Sequence, residues 1–537
     1  MTNKEIAKQI DFIAKLLEFH DENPFKIRSY QNAYRAIRQN IDSLDQMSFD
    51  QLTSIKGIGK SIASDIIELN KTNKSGTLIE LLEKTPEGII DLLKIKGIGP
   101  KKIRSLWQEL NITSLGELEY AIKENRLTLL KGFGEKIQEN IANQIEFLNL
   151  SKGKILYFKA ILLANELIEK LKKSFTLNKF EITGELRRQL PIIDKLEIIT
   201  DLDKNELKNF QDTDFSYIND VFSYKTIEFC FIFSQSEEFD KNLFVSTGPE
   251  EFIERFKISN DISESEIFSS NNIPFIPPYF RDLSNKIDKL QDFDKEKYIA
   301  QNDIKGVLHN HTIWSDGADK ILDMATYYKE LGYEYMLISD HSQSAFYANG
   351  VKENDILKYF EDINNTNNKL EGFTVFAGIE SDILSDGSLD YSENILQMFD
   401  AIIASIHSGL IMDKEKATVR LIKAIENPYT RILGHMTGRI LLAREGYPVD
   451  YEKIFDACIA NDVVIELNAN PHRLDLDYSL ISKAQDKGIK FAINPDAHSK
   501  YEVKYIDYGF VMAQKGGMLK ENCINTKNID EFKSWLQ

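Results

Sequence analysis

The sequence predicts a multidomain protein with an all-α N-terminal third, a mixed α+β middle and an α/β, barrel-like C-terminal domain. Three observations predict it. Residues 1–150 repeat a Gly-x-Gly turn three times, each ahead of an amphipathic helix. From about residue 303 the pattern runs strand, loop, helix many times over, as a parallel barrel requires. Seven of the eight histidines lie beyond residue 300, six of them at the ends of apolar, strand-like runs. At 537 residues the chain exceeds what one hydrophobic core supports, so three or more domains are expected.

With 42% apolar and 28% charged residues the composition is that of an ordinary globular protein. No run approaches the ~20 apolar residues of a membrane span, and Met1-Thr2-Asn3-Lys4-Glu5 does not open a signal peptide. Cys230, Cys458 and Cys523 share no metal-type spacing. A reducing, cytoplasmic setting and a monomer without membrane contact are expected. The net charge of −18 argues against a polyanionic partner until it is located along the chain. Residues 1–150 hold 21 Lys/Arg and 21 Asp/Glu, whereas the remainder holds 45 against 63 and carries the whole deficit. A polyanion can therefore meet the N-terminal third without a global penalty, with modest and salt-sensitive affinity.

Taken in order, segments 1–85 and 86–150 read as helical, with i, i+3, i+4 patterns such as Ile6-Ile10-Ile13-Leu17. Their turns contain Gly57 and Gly59, Gly97 and Gly99, and Gly132 and Gly134. Amides of such a turn form an anion-binding nest at a positive helix end. One copy alone favours a plain tight turn. Three copies flanked by Lys56, Lys60, Lys96, Lys101, Lys102, Lys131 and Lys136 point to nonspecific helix-hairpin-helix contacts with DNA phosphates, which position a strand without reading its bases. Residues 151–235 alternate helix with strand-like runs at 180–183 and 196–199, and 236–290 are mixed in character. A Pro-rich turn at 272–278, an acidic helix near Lys289–Tyr298 and a linker at 291–302 lead into the last domain, 303–537. Its candidate strands are 304–309, 335–339, 374–379, 401–406, 431–434, 462–467, 490–494 and 508–512.

Nine residues at or just after those strands are candidate metal ligands: His309, His311, Asp316, His341, Glu380, His407, His435, Asp496 and His498. His-x-His and Asp-x-His on a strand point both side chains to one face, because side chains alternate with period two. A lone histidine is most often a satisfied core or loop residue, but nine recurring at strand ends are poorly explained that way. Imidazole-rich sites suit Zn²⁺, Mn²⁺ or Fe²⁺, and such ions activate water at neutral pH. Arg439 and Arg473 are candidates for substrate phosphate, since guanidinium suits bidentate recognition; a surface ion pair is the alternative for each. His472 breaks the ligand pattern, and His20 reads as a helix-surface or core histidine.

Residues 303–537 resemble the PHP (polymerase and histidinol phosphatase) domain. His309-x-His311 with Ser315-Asp316-Gly317 is similar to its first motif and Ser339-Asp340-His341-Ser342 to its second; Glu380 and His407-Ser408 match the third, Asp496-x-His498 the fourth. The resemblance implies a distorted (β/α)7 barrel binding three divalent metals. One would be held by His309, His311, Glu380 and Asp496, a second by Glu380, His407 and His435, and the third by Asp316, His341 and His498. Water activated by these metals is the nucleophile it implies, with the metals neutralising charge on phosphoryl oxygens.

The order of parts, with Phe25-Lys26-Ile27-Arg28-Ser29-Tyr30 ahead of the first hairpin, resembles the bacterial family X DNA polymerases that carry a C-terminal PHP domain. That resemblance makes 151–235 a nucleotidyltransferase-like palm and 236–290 a thumb. Gly184-Glu185-Leu186-Arg187-Arg188 is similar to the family's Gly-Ser-x-Arg-Arg nucleotide-binding stretch, but Glu185 replaces the serine. The family's metal-binding aspartates fall on Lys195, Glu197 and Glu228. An ammonium where a carboxylate should face a dication is unfavourable by on the order of 10 kcal/mol before relaxation. A lysine used by lyase-active members falls on Asp65. The expected function is a DNA-processing, metal-dependent phosphodiesterase, a 3′-5′ exonuclease with polymerase activity lost. The alternatives are an active gap-filling polymerase, a histidinol-phosphatase-like phosphatase and a noncatalytic DNA scaffold.

Overall fold

The computed structural model describes residues 1–39, 43–110, 112–123, 127, 130, 132–150, 153–225, 227–259, 262–283, 290–442 and 445–537, in two compact units, Met1–Lys152 and Gly153–Gln537. Lys131 lies outside the described residues. In the first unit, helical spacing puts Ile6, Ile10, Ile13 and Leu17 of Asn3–Phe19 on one buried stripe, packed against Tyr30, Ala33 and Ile37 of Pro24–Gln39. Thr2 and Glu5 close a capping box at its start. Each turn enters a helix: Lys60–Thr72, Pro100–Leu110 and Glu135–Leu150. Gly57, Gly97 and Gly132 adopt φ of 103°, 89° and 87°, which L side chains rarely reach. Between each glycine pair an apolar residue, Ile58, Ile98 or Phe133, is buried and anchors the turn.

Seven strands occur among the described residues of 155–233: β1 (Ile155–Leu156), β2 (Phe180–Ile182), β3 (Ile192–Ile193), β4 (Leu196–Thr200), β5 (Phe215–Ile218), β6 (Val221–Tyr224) and β7 (Ile227–Phe233). β1 pairs with β3, and the others form a mixed sheet in the order β2-β4-β7-β6-β5 over the helix Tyr157–Ser174. Phenylalanines 244, 252 and 268 then pack around Arg281, which is fully buried and paired with Glu264 at 2.8 Å. Burial pushes the Arg281 guanidinium down to about 10, with Glu264 opposing. The acidic helix expected near Lys289–Tyr298 is absent from the described part of that stretch, which holds short 3-10 turns such as Lys295–Lys297. Phe293 and Tyr298 stack on one another at 5.5 Å, a spacing of five residues that no helix face brings together.

The C-terminal domain is a parallel, seven-stranded, nearly closed barrel. In order around the sheet, its strands are β14 (Phe491–Asn494), β13 (Val464–Asn468), β12 (Thr430–Leu433), β11 (Ala401–Ser405), β10 (Thr374–Asp382), β9 (Tyr335–Ile338) and β8 (Gly306–Val307). Both faces of these strands are buried, which is why they read as continuous apolar runs. Leu308, Leu337, Phe376, Ile403, Ile432 and Val464 fill one layer, with Phe532 of the terminal helix Ile529–Leu536 packed into it. The gap between first and last strands is bridged by Asn310 against Ala497, and by Asn525, whose amide donates to Gly306 O and Ile493 O.

The eighth expected strand, 508–512, is instead part of the helix Ile506–Lys515. Gly509 lies against Ala469 and Ile493 of the barrel, while Tyr508 and Val511 pack into the core under the mixed sheet. A helix sandwiched between two cores is apolar on two sides, and its sequence loses the helical period.

Glu264 also holds Arg187 through two bonds of 2.8 and 2.7 Å. Glu264→Ala should therefore leave Arg281 buried without its carboxylate and cost about 3–5 kcal/mol, read by urea unfolding. An unchanged midpoint would refute this account.

Candidate metal centre

The open end of the barrel gathers all nine candidate ligands into one pocket. Glu380, fully buried on β10, is its hub. Its Oε1 lies 3.3 Å from His309 Nε2, 3.2 Å from His407 Nε2 and 3.0 Å from His435 Nε2. Its Oε2 lies 3.0 Å from His341 Nδ1 and 3.6 Å from His311 Nε2. Asp496 Oδ1 sits 3.1 Å from His311 Nε2 and 3.6 Å from His309 Nε2. Asp316 Oδ1 sits 3.4 Å from His498 Nε2 and 3.7 Å from His341 Nε2.

Four groups keep their ligand atoms within 4.8 Å of one another: His311-Asp316-His341-His498, His309-Glu380-His435, His309-His311-Asp496 and His341-Glu380-His407. These groups cut across the expected sets: His311 also lies with Asp316, His341 and His498, while Glu380 meets His435 together with His309 and His407 together with His341. Strand alternation does not place His309 and His311, because β8 ends at Val307 and His309 has φ of 68°. Asp496, past the end of β14, has φ of 52°. Left-handed backbone at both positions, not strand pleat, turns these side chains inward; each costs on the order of 1–3 kcal/mol and persists only where the surroundings over-determine it.

Burial opposes charge throughout this pocket, and mutual attraction decides the outcome. Burial pulls His309 down, but Glu466, Glu380 and Asp496 outweigh it and raise the ring well above the ordinary histidine range. His407 likewise rises to about 10 through Glu380 and Asp382, and His498 to about 9 through Asp316 and Asp496. Burial, with His498 and His341 beside it, drives His311 down to about 3. Burial raises Glu380 and Asp496, yet the surrounding imidazoles hold both well below the usual carboxylate range. His309 Nε2, His311 Nδ1 and Glu380 Oε2 are buried atoms without a hydrogen bond. A divalent cation fits this donor set: it would satisfy such atoms and displace the ring protons.

Three carboxylates not among the candidates orient the pocket. Glu466 Oε2 is 2.6 Å from His309 Nδ1 and also accepts from Asn494, while Oε1 accepts from the His435 amide and Asn468. Asp382 Oδ1 is 2.5 Å from His407 Nδ1. Asp340 accepts from the Thr312 amide and hydroxyl and from Ser315, fastening the loop that carries Asp316. The signal was present in Val464-Ile465-Glu466-Leu467-Asn468, where a carboxylate interrupts a wholly buried strand, and in Glu380-x-Asp382.

Other expected residues fare differently. Arg439 pairs with Asp477 at 2.7 Å and donates to the Arg473 and Leu474 carbonyls, so it ties the loop after β12 to the loop after β13. Arg473 stands at the pocket's rim, its Nε 3.9 Å from Asp496. His472 packs edge-on against Phe158, and His20 Nε2 meets the Thr85 hydroxyl at 2.7 Å. Lys60, Lys101 and Lys136 are exposed beside their turns, and Lys102 lies over the Phe133 ring at 5.4 Å. A Cβ at Gly59, Gly99 or Gly134 would meet nothing within 4 Å, so the fold itself has room for a side chain there. In the mixed sheet, Lys195 and Glu228 are exposed, and Glu197 is half-buried with Cys230, not Glu228, directly opposite. Burial raises Glu197, as does Glu185, against the pull of Lys195. Asp65 is buried and accepts a 2.6 Å bond from Tyr30.

A barrel of this topology, with an imidazole–carboxylate pocket at the strand ends and hairpin helices ahead of it, defines a phosphoesterase domain joined to a nucleic-acid-binding region. Residues 308–470 match the PHP domain, residues 1–75 a helix-hairpin-helix domain and residues 89–146 a SAM-like helix-hairpin-helix tandem. The chain is 32% identical over 574 residues to the DNA polymerase/3′-5′ exonuclease PolX of Bacillus subtilis, covering 100% of both. Over 43% of its length it is 29% identical to a probable phosphatase of Caldanaerobacter subterraneus, covering 89% of that protein. Over 42% of its length it is 30% identical to one of Clostridium acetobutylicum, covering 92%. The chain belongs to the bacterial family X DNA polymerases that carry a PHP domain, and it is a DNA-processing enzyme of the phosphoesterase kind. Among the described residues, no helix is long and apolar enough to cross a membrane.

Glu466→Gln should lower metal affinity, and turnover with it, by about 10–100-fold while leaving the fold intact, because the ring it orients loses its charged partner. Calorimetric metal titration beside a thermal melt checks this. Unaltered affinity would exclude an orienting role.

Proposed function

We propose that this protein is a metal-dependent 3′-5′ exonuclease acting on DNA, with the N-terminal hairpins holding the strand and the palm no longer polymerising. The observation that carries the reading is the nine-residue pocket around Glu380, joined in one chain to hairpins with exposed lysines. His309, His311, Asp316, His341, Glu380, His407, His435, Asp496 and His498 would hold up to three divalent ions, of Zn²⁺, Mn²⁺ or Fe²⁺ type. Ions held there supply Lewis acidity toward phosphoryl oxygens and acidify the attacking water. The protein's own part is orientation. With an ion held, Glu466 and Asp382 would accept from Nδ1–H of His309 and His407 and leave both Nε2 lone pairs to the pocket. Arg473, one-fifth exposed at the rim, meets the incoming phosphate.

Support for a silent palm comes from what its residues touch. Arg187 is bound by Glu264 and Thr247, and Arg188 by Asp282 at 2.9 Å, so both arginines of the nucleotide-binding stretch are engaged within the protein. Glu185 accepts from the Asp194 and Lys195 amides, which puts a carboxylate where triphosphate would approach. Among the described residues the groups able to hold an ion all lie in the barrel. A small-molecule phosphatase is favoured by one observation, the match of the barrel alone to probable phosphatases, but it gives the hairpins no work.

Labelled DNA with Mn²⁺ should be degraded from its 3′ end, and chelation or His309→Ala with Glu380→Ala should abolish digestion. Digestion surviving that double replacement would sink the proposal. Primer extension with deoxynucleotides should be undetectable; extension that depends on Glu197 would restore the polymerase reading. Phosphate release from histidinol phosphate, indifferent to removal of residues 1–152, would instead favour the phosphatase.

A further inference from the structure

We propose that the mouth of the metal pocket is a nucleobase collar, made of Ile313, Phe346, Ile411 and Tyr501, which takes the bases of a single-stranded 3′ end as its phosphate enters the pocket. This rests on the nuclease reading and adds to it the element that recognises the substrate. Each of four ligand-bearing loops carries one large, solvent-exposed apolar side chain. Ile313 follows His311 by two residues, Phe346 follows His341 by five, Ile411 follows His407 by four and Tyr501 follows His498 by three. Their exposures are 49%, 83%, 88% and 58%. All four sit in loops at the ligand-bearing end of the barrel, within five residues of a ligand, and the Tyr501 ring meets Tyr327 edge-on at 5.4 Å.

The loops are held, so this exposure is not fraying. The Val351 amide donates to His341 O at 2.8 Å and closes the Phe346 loop back onto its ligand. Ser344 in that loop donates at 2.7 Å to Asp382, the carboxylate that orients His407. Arg420 donates to Ser408 O and Leu384 O beneath the Ile411 loop. The Lys500 amide donates to Asp319, and the Ala318 amide to His498 O, which join the Tyr501 and Ile313 loops. Lys352 Nζ lies 5.1 Å from the centre of the Phe346 ring, placing a cation beside an exposed π-face.

Single exposed apolar residues need no explanation, but four on rigid loops around one ionic mouth do. A small polar phosphate ester would leave them in water. A nucleotide pairs a charged phosphate with a flat apolar base, and stacking serves any base because each has a π-face.

The test is a cycle of enzyme and substrate. Phe346→Ala with Ile411→Ala should raise KM for a single-stranded oligonucleotide about tenfold or more. Leu357→Ala, on the outer helix Ile356–Asn367 and 74% exposed, should change nothing. Wild type should discriminate by a similar factor against a strand whose 3′-terminal residues are abasic, and the double variant should treat the two strands alike. Titrating metal-free protein with a strand ending in 2-aminopurine reads stacking without turnover, and the wild type should quench it where the double variant does not. A double variant with wild-type KM, or one that still discriminates against abasic ends, overturns the collar. If the wild type quenches 2-aminopurine but digests no DNA, the nuclease reading falls and the collar stands.

Discussion

A carboxylate stripped of water amid five imidazoles governs the open end of the barrel. An ionised group so buried costs several kcal/mol unless it is paired and hydrogen-bonded, and Glu380 meets that cost with rings delivered from the ends of four other strands or their loops. The constraint propagates outward. His309 and Asp496 accept left-handed backbone to reach the pocket, and the main chain between them is bridged at Asn310 and Ala497. Glu466, Asp382 and Asp340 are each consumed in holding rings or loops, and each is itself satisfied by amides or hydroxyls. A pocket in which carboxylates, rings and their orienting partners are all fixed in advance loses little freedom when ions arrive.

The mixed-sheet region shows the opposite outcome of the same physics. Its two arginines have found carboxylates inside the fold, and Lys515, buried in the helix that packs on the barrel, bonds to both Asp282 and the Arg188 carbonyl. Burial pulls the Lys515 ammonium down to about 8, with Asp282 holding it up. These contacts make Gly184–Arg188 a joint between the mixed-sheet region and the barrel. A stretch that resembles a nucleotide site therefore has a structural use that does not need a nucleotide.

The sequence made the candidate ligands legible because metal ligation requires a narrow choice of side chains, and histidine is scarce in this chain. It made the hairpins legible because a turn with φ above 80° favours glycine. The orienting residues were harder to see. Glu466 stands 157 positions from the histidine it holds, and no spacing announces a bond of that kind. Arg439 looked like a phosphate ligand by chemistry alone, but Asp477 and two carbonyls reached it first. The strand expected at 508–512 failed for a related reason: apolar residues mark burial, and burial on two sides erases the period that separates helix from strand.

Local chemistry, written in the order of residues, determined the class of fold, the repeated turns and the inventory of ionisable groups. Which carboxylate became the hub, which rings kept protons and which arginines stayed open to solvent were decided only in three dimensions. Coulombic and desolvation energies depend on distance and burial, and the chain acquires both only when distant strands close into a barrel.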